Sequence, residues 1–174
     1  RSHFSFLDGA SSPEEHAAEA ARLGHAAIAI TDMLGVFAAV RLQRACIEHG
    51  ITPIMGTDLV CSGSVVSLLA MDHTGYAEIC SLISKVRTDP AYEIYTGLSK
   101  LERCILILHG HSAERETIEM VLHQFPRTRT FIGIGHDGRP WARRRAGQIV
   151  EMARSHSLPV VIAQDVRYAT CDRY

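Results

Sequence analysis

A chain of 174 residues, 47% hydrophobic and 21% charged, is long enough to bury a core of its own and has the composition of a globular domain. Its net charge of −1, with histidine neutral, excludes the broad positive field that grips nucleic acid regardless of sequence. Five cysteines, an odd number with no Cys-x-x-Cys pair, exclude a zinc ribbon or a disulfide scaffold and predict reduced thiols in a cytoplasmic protein.

In chain order, the first element is a helix. Ser12 is its N-cap, Pro13 suits the first helical position, and Glu15 completes a capping box before an Ala-rich stretch that stops at Gly24. Residues 26–31 (AAIAIT) read as a short buried strand. Residues 36–49 form a second helix, with Val36, Val40 and Ile47 at helical spacing and Gly50 closing it. Residues 51–55 (ITPIM) are a strand, and TDLVC and SVVSLLAM flank Ser62 and Gly63 as a hairpin. A helix over 75–86 follows, then a surface loop over 88–97. The second half continues with a strand at 104–108 (CILIL) and a helix at 113–123 capped by Ser112. A strand at 130–134, a helix at 141–155 and a last strand at 158–163 complete the chain. Strands alternating with helices, and almost continuously apolar, predict a parallel α/β sheet or barrel. No linker or repeat interrupts 1–174, so one domain is expected. Because RSHFSFLDG reads like the interior of a protein, that domain is expected to be a fragment of a longer chain. No apolar run is long enough to cross a bilayer, and no membrane partner is expected.

In parallel α/β folds ligands gather beyond the carboxyl ends of the strands. Asp32 follows AAIAIT, and Asp58 comes just past ITPIM and Gly56. His109 and His111 follow CILIL, His136 and Asp137 follow TFIGI, and Asp165 follows LPVVIA. Clustered His and Asp of this kind hold divalent cations that activate water and neutralise phosphate charge, which points to metal-assisted phosphoester hydrolysis. Solvated turns, where Asp is common, are the bland alternative. Against the metal reading, no His-x-His pair opens the first strand.

Longer motifs carry a resemblance. HFSFLDGASSPEE (3–15), LGHAAIAITDMLGVFAAVRL (23–42), GITPIMGTDL (50–59), SLLAMDHTGYAEICSLIS (67–84) and LPVVIAQDVRY (158–168) occur in one order across nearly the whole chain. Together they resemble the PHP (polymerase and histidinol phosphatase) domain of bacterial DNA polymerase III alpha-type subunits, and FSFLDGASSPEE leans towards the error-prone branch. The resemblance implies a distorted (β/α)7-type barrel, here incomplete at both ends. It also implies a metal site, from which this chain departs. Aligned on Asp8-Gly9, the second His of the family's H-x-H pair falls on Arg1, and the T-D-H histidine is Met33. The third motif's glutamate is Asp58, and the D-V-H-Y histidine is Arg167. His111 falls where the family often has a metal-binding Cys, and Asp137 near a family His.

Guanidinium stays protonated and offers no acceptor, so neither arginine can ligate a cation, and both repel one. The remaining ligand candidates are Asp8, Asp32, Asp58, His111 and Asp165, the remnant of a site with ligands lost at Arg1, Met33 and Arg167. No cofactor is expected, or zinc, manganese or magnesium if the site is residual. Arg1 and Arg167 are expected to pair with rim carboxylates instead, Arg167 with Asp8, Asp32 or Asp58. Asp32, Asp58, His111 and Asp165 are expected to converge. His3, two positions beyond Arg1, would share its face on a strand.

Two functions follow from the resemblance. One is a non-catalytic scaffold in a DNA-directed DNA polymerase, packed on the polymerase core of the same chain. It would reach DNA through that parent protein and contact a proofreading exonuclease subunit. The other is a metal-dependent phosphoesterase or 3′–5′ exonuclease. Arg143, Arg144 and Arg145 read as a solvated helix face, Trp141 as a packing anchor. His25, His49 and His156 sit near helix C-termini, where a cation meets the dipole favourably.

Overall fold

The computed structural model describes residues 1–135 and 140–170. Among these residues six strands and six α-helices follow one another as α1 (Pro13–Arg22), β1 (Ala27–Met33), α2 (Ala39–His49), β2 (Thr52–Cys61), β3 (Ser64–Ala70), α3 (His73–Thr88), α4 (Ile94–Leu98), β4 (Cys104–His109), α5 (Arg115–Gln124), β5 (Thr130–Ile134), α6 (Pro140–Ser155) and β6 (Val160–Ile162). The strands pair in sequence order into one curled sheet, a half-barrel with β1 and β6 as its two edges. This is the incomplete, distorted barrel expected.

The helices cover one face of the sheet. Leu59, Val66, Leu68, Leu106, Leu108 and Ile132 pack there against Ile79, Ile118, Val121, Phe125 and Ile149. A smaller cluster of Ala17, Ile30, Ala38, Leu42, Ala45 and Cys46 lies under α1 and α2. Each fully buried Leu, Ile or Phe contributes about 1.5–3 kcal/mol of transfer free energy, so this layer is the main stabilising mass. Alternation along a strand then puts the residues between these on the other, concave face.

Several expectations need correction. The sheet is not all parallel: β3 runs antiparallel to both β2 and β4, while β1/β2, β4/β5 and β5/β6 are parallel. A two-residue turn at Ser62 and Gly63, both with positive φ, allows only an antiparallel neighbour. ITPIM and TDLVC are one ten-residue strand, unbroken at Gly56. Helix α2 starts at Ala39, and its buried face is Leu42, Ala45 and Cys46, leaving Val40 and Ile47 exposed. The 88–97 stretch is not all loop, since α4 begins within it and buries Gly97 and Leu98. Ser112 does not cap α5. Its Oγ accepts the Val65 N–H at 3.0 Å and donates to the His109 carbonyl. Helix α1 has the capping box that Ser12 and Glu15 predict.

Candidate functional site

Asp32 and Asp58 lie inside strands, not beyond them, and on opposite faces. Asp32 in β1 shares the helix-covered face with Ile30. Asp58 in β2 pairs across to Met33 in β1 and to Ser67 in β3, so those three share the concave face. Strand periodicity thus separates two carboxylates that were expected to converge.

Asp32 is buried, and its carboxylate is spent on the N-terminal segment. It accepts the Ser2 N–H at 2.9 Å, the Ser2 hydroxyl at 2.9 and 3.0 Å, and the Ser5 hydroxyl at 2.8 Å. Bonds of this kind satisfy a buried carboxylate without a counter-cation. Their effect is to fix the segment that carries Arg1.

Arg1 reaches the concave face. Its Nε donates to Asp58 Oδ2 at 2.9 Å and its Nη1 to Asp8 Oδ2, with the arginine side chain only 8% exposed and that of Asp58 3%. Arg167 Nη1 lies 2.9 Å from the other oxygen of Asp8, and Arg167 Nη2 donates to Asp165 Oδ2 at 2.9 Å. Asp58, Arg1, Asp8, Arg167 and Asp165 therefore form a chain of alternating charge across the rim. Arg167 finds Asp8, one of its three expected partners, and Asp165, which was not among them. Burial acts to raise the Asp165 carboxyl, but the Arg167 bond and the two guanidinium charges outweigh it and hold it below its ordinary value.

Asp58 has a second partner. Ser67 Oγ lies 2.5 Å from Asp58 Oδ1 and 2.7 Å from His109 Nε2. The carboxylate can only accept, so the single Ser67 proton points to Asp58 and the His109 Nε2–H donates to Ser67. Burial holds His109 below its ordinary pKa, against the pull of Asp58. His109, at the end of β4, lines the central cavity. The aligned His111 does not: it is exposed, its ring 5.7 Å from that of His109. Ser67 escaped sequence reasoning, although a serine in the middle of the apolar run VVSLLA was the available signal. His3 does not share a strand face with Arg1 as expected. The opening segment is a series of turns, and His3 stacks on Phe4 beside Arg41. His136, Asp137 and the Trp141 side chain lie outside the described residues.

The cavity, about 470 Å³, opens between β1 and β6 and is lined by Arg1, His16, Asp58, His109, Gln164 and Asp165 among others. His16 Nε2 donates to the Arg1 carbonyl at 3.0 Å, and burial pushes its imidazole below the ordinary value.

Residues 1–155 match the protein family described as the PHP domain. The chain belongs to the PHP domain family. Curated relatives include error-prone DNA polymerases. That of Methylococcus capsulatus is 32% identical over 99% of this chain and 17% of its own length, and that of Symbiobacterium thermophilum 30% identical over 99% and 19%. The chain thus spans less than a fifth of these relatives. Two solved structures share the PHP-like fold: a protein described as a metal-dependent phosphoesterase from Bifidobacterium adolescentis and an amidohydrolase from Chromobacterium violaceum. The first has a TM-score of 0.63, 12% identity and coverage of 93% of this chain and 84% of its own. The second has 0.65, 14%, 95% and 85%.

Zinc, manganese or magnesium does not fit this PHP rim. The Arg1 guanidinium is wedged between Asp58 and Asp8, Asp32 is committed to serines on the other face, and Asp165 is taken by Arg167. Among the described residues no group of three or more His, Cys, Asp or Glu is placed to hold a metal ion.

Proposed function

We propose that this PHP domain is a non-catalytic scaffold of a DNA polymerase III alpha-type, error-prone polymerase chain. It packs on the polymerase core, reaches DNA through that core, and offers a surface to a proofreading exonuclease subunit. The observation that carries this reading is the buried Arg1 guanidinium bonded to Asp58 and Asp8, where the resemblance puts a metal-ligating histidine. A fixed cation there repels divalent ions and consumes the carboxylates that would bind them. Similarity to error-prone polymerases over 99% of the chain supports the polymerase context.

The competing reading is a metal-dependent phosphoesterase or 3′–5′ exonuclease, favoured by the cavity that gathers His16, His109, Asp58 and Asp165. Assays with p-nitrophenyl phosphate and a single-stranded oligonucleotide, with zinc, manganese or magnesium added, separate the two. The scaffold predicts no turnover and no metal retained by elemental analysis after desalting. Metal-dependent hydrolysis abolished by Asp58→Asn, or two tightly held ions per chain, would establish the enzyme instead.

A further inference from the structure

The N-terminal segment that carries Arg1 also builds an apolar projection that the rim does not use. Phe6 and Leu7 are 87% and 92% exposed, beside the part-exposed Phe4 and Phe37, whose rings lie 6.5 Å apart. The turn that presents them is hydrogen-bonded to a buried anchor. Asp8 N–H and Gly9 N–H both donate to the Ser5 carbonyl at 2.9 Å, and Ser5 is itself tied to buried Asp32. Leu7 sits at φ 64°, a left-handed conformation that a branched side chain enters at a cost. Gly9 closes the turn so tightly against the segment that a Cβ there would lie 2.1 Å from the Ser2 carbonyl oxygen, which leaves room for glycine alone. A strained turn on a buried anchor thus holds two large apolar side chains in water, which is how a pre-ordered contact residue is mounted.

We propose that Phe4, Phe6, Leu7 and Phe37 form an interdomain contact that inserts into an apolar pocket of the polymerase portion of the longer polypeptide. This rests on the polymerase reading above. The occupant is argued from two observations. In the polymerase relatives, more than four-fifths of the chain lies outside the segment matched here, so a PHP domain of this kind has a large neighbour in the same polypeptide. The local arginines, moreover, are not free to grip phosphate. Arg41 lies over Phe4 at 5.5 Å but spends Nε and Nη2 on Glu14, both at 2.7 Å. Arg87 lies over Phe37 at 5.3 Å but turns Nε and Nη2 to the Leu34 carbonyl. With those edges bonded, the surface offers mainly aromatic and aliphatic area, which suits an apolar protein pocket better than a nucleic-acid strand.

The test uses the full-length polypeptide and its Phe6→Ser/Leu7→Ser double variant. Limited proteolysis should release the PHP domain at least tenfold faster from the variant. The 174-residue chain carrying the same changes should keep its Tm within about 2 °C, since both side chains are already in water. Equal release rates would overturn the proposal. So would a dimer of the 174-residue chain, or its binding to a single-stranded oligonucleotide, if either is abolished by the double variant. A reading frame with no polymerase segment would overturn the polymerase reading and the docking together. A polymerase segment indifferent to the variant would overturn the docking alone.

Discussion

Arg1 and Arg167 flank Asp8 in one ionic chain but do not share one environment. The Arg1 side chain is 8% exposed and holds Asp58 at 3%, whereas that of Arg167 is 45% exposed. Removing one partner of a buried pair leaves a desolvated charge, at a cost of about 3–5 kcal/mol, while exposed pairs are worth about 0–1 kcal/mol. Arg1→Ala should therefore lower stability several-fold more than Arg167→Ala in urea titrations. Equal losses would mean that Asp58 is rewetted or re-paired when Arg1 is gone. His16 adds a pH term. Its imidazole is buried and held below its ordinary pKa, so the folded chain binds its proton less readily than the unfolded one. Stability from this group is complete above the unfolded value near 6.5 and falls as pH drops below it. His16→Gln should flatten the decline in unfolding free energy between pH 7.5 and 5.5. A slope unchanged by the substitution would assign that decline elsewhere.

At the scale of elements, local chemistry and periodicity were read with different success. The α1 capping box was legible because each of its bonds is made within four residues: Ser12 N–H to Glu15 at 2.7 Å, and Glu15 N–H to Ser12 Oγ at 3.2 Å. Ser12→Ala should cost about 1 kcal/mol and lower Tm by about 2–4 °C in a domain of this size, read by calorimetry. No change would show that α1 is held by packing of Ala17 and Ala20 alone. The strands were legible as apolar runs, and the Ser62-Gly63 hairpin gave β3 its antiparallel direction, but the ends of the strands were not legible. Asp32 and Asp58 each follow an apolar run in sequence, and both runs continue through them. Which face a strand residue takes depends on register with a neighbour distant in sequence, and so Asp58 meets Ser67 while Asp32 meets Ser2 and Ser5. His109 lines the cavity and His111 is exposed for a related reason. The last residue of β4 still belongs to the sheet, and the residue two further on has left it. The motifs conveyed the family. Ser5 and Ser67 stand within those motifs, but the motifs do not say that their hydroxyls bond Asp32 and Asp58.

For the whole molecule, the decisive feature is a sheet whose ends do not meet. Strands β1 and β6 are both edges, and among the described residues no ladder joins them. What spans the gap is a set of bonds between the two end segments: Arg1 N to the Val166 carbonyl at 2.8 Å, Ala10 N to the Arg167 carbonyl at 3.0 Å, and Ala169 N to Ser11 Oγ at 2.9 Å. The ionic chain lies over the same seam, and Asp8 is its centre, with one oxygen on each arginine. The seam carries far less buried apolar surface than β3 and β4, whose Val66, Leu68, Leu106 and Leu108 are inaccessible to solvent. Its opening should therefore be a local event, well below the free energy of global unfolding. Asp8→Asn removes the shared carboxylate while keeping its shape, and Asp58 and Asp165 still hold one arginine each. Hydrogen exchange should then speed up at Ala10, Ala169 and the β6 amides, with β3 and β4 unchanged. Raising the salt concentration should do the same to the parent chain in part, since the Arg167 half of the seam is open to screening and the Arg1 half is not. Uniformly faster exchange across all strands would mean that Asp8 supports the fold as a whole. Unchanged exchange at the seam would mean that the backbone bonds hold the half-barrel together without the charges.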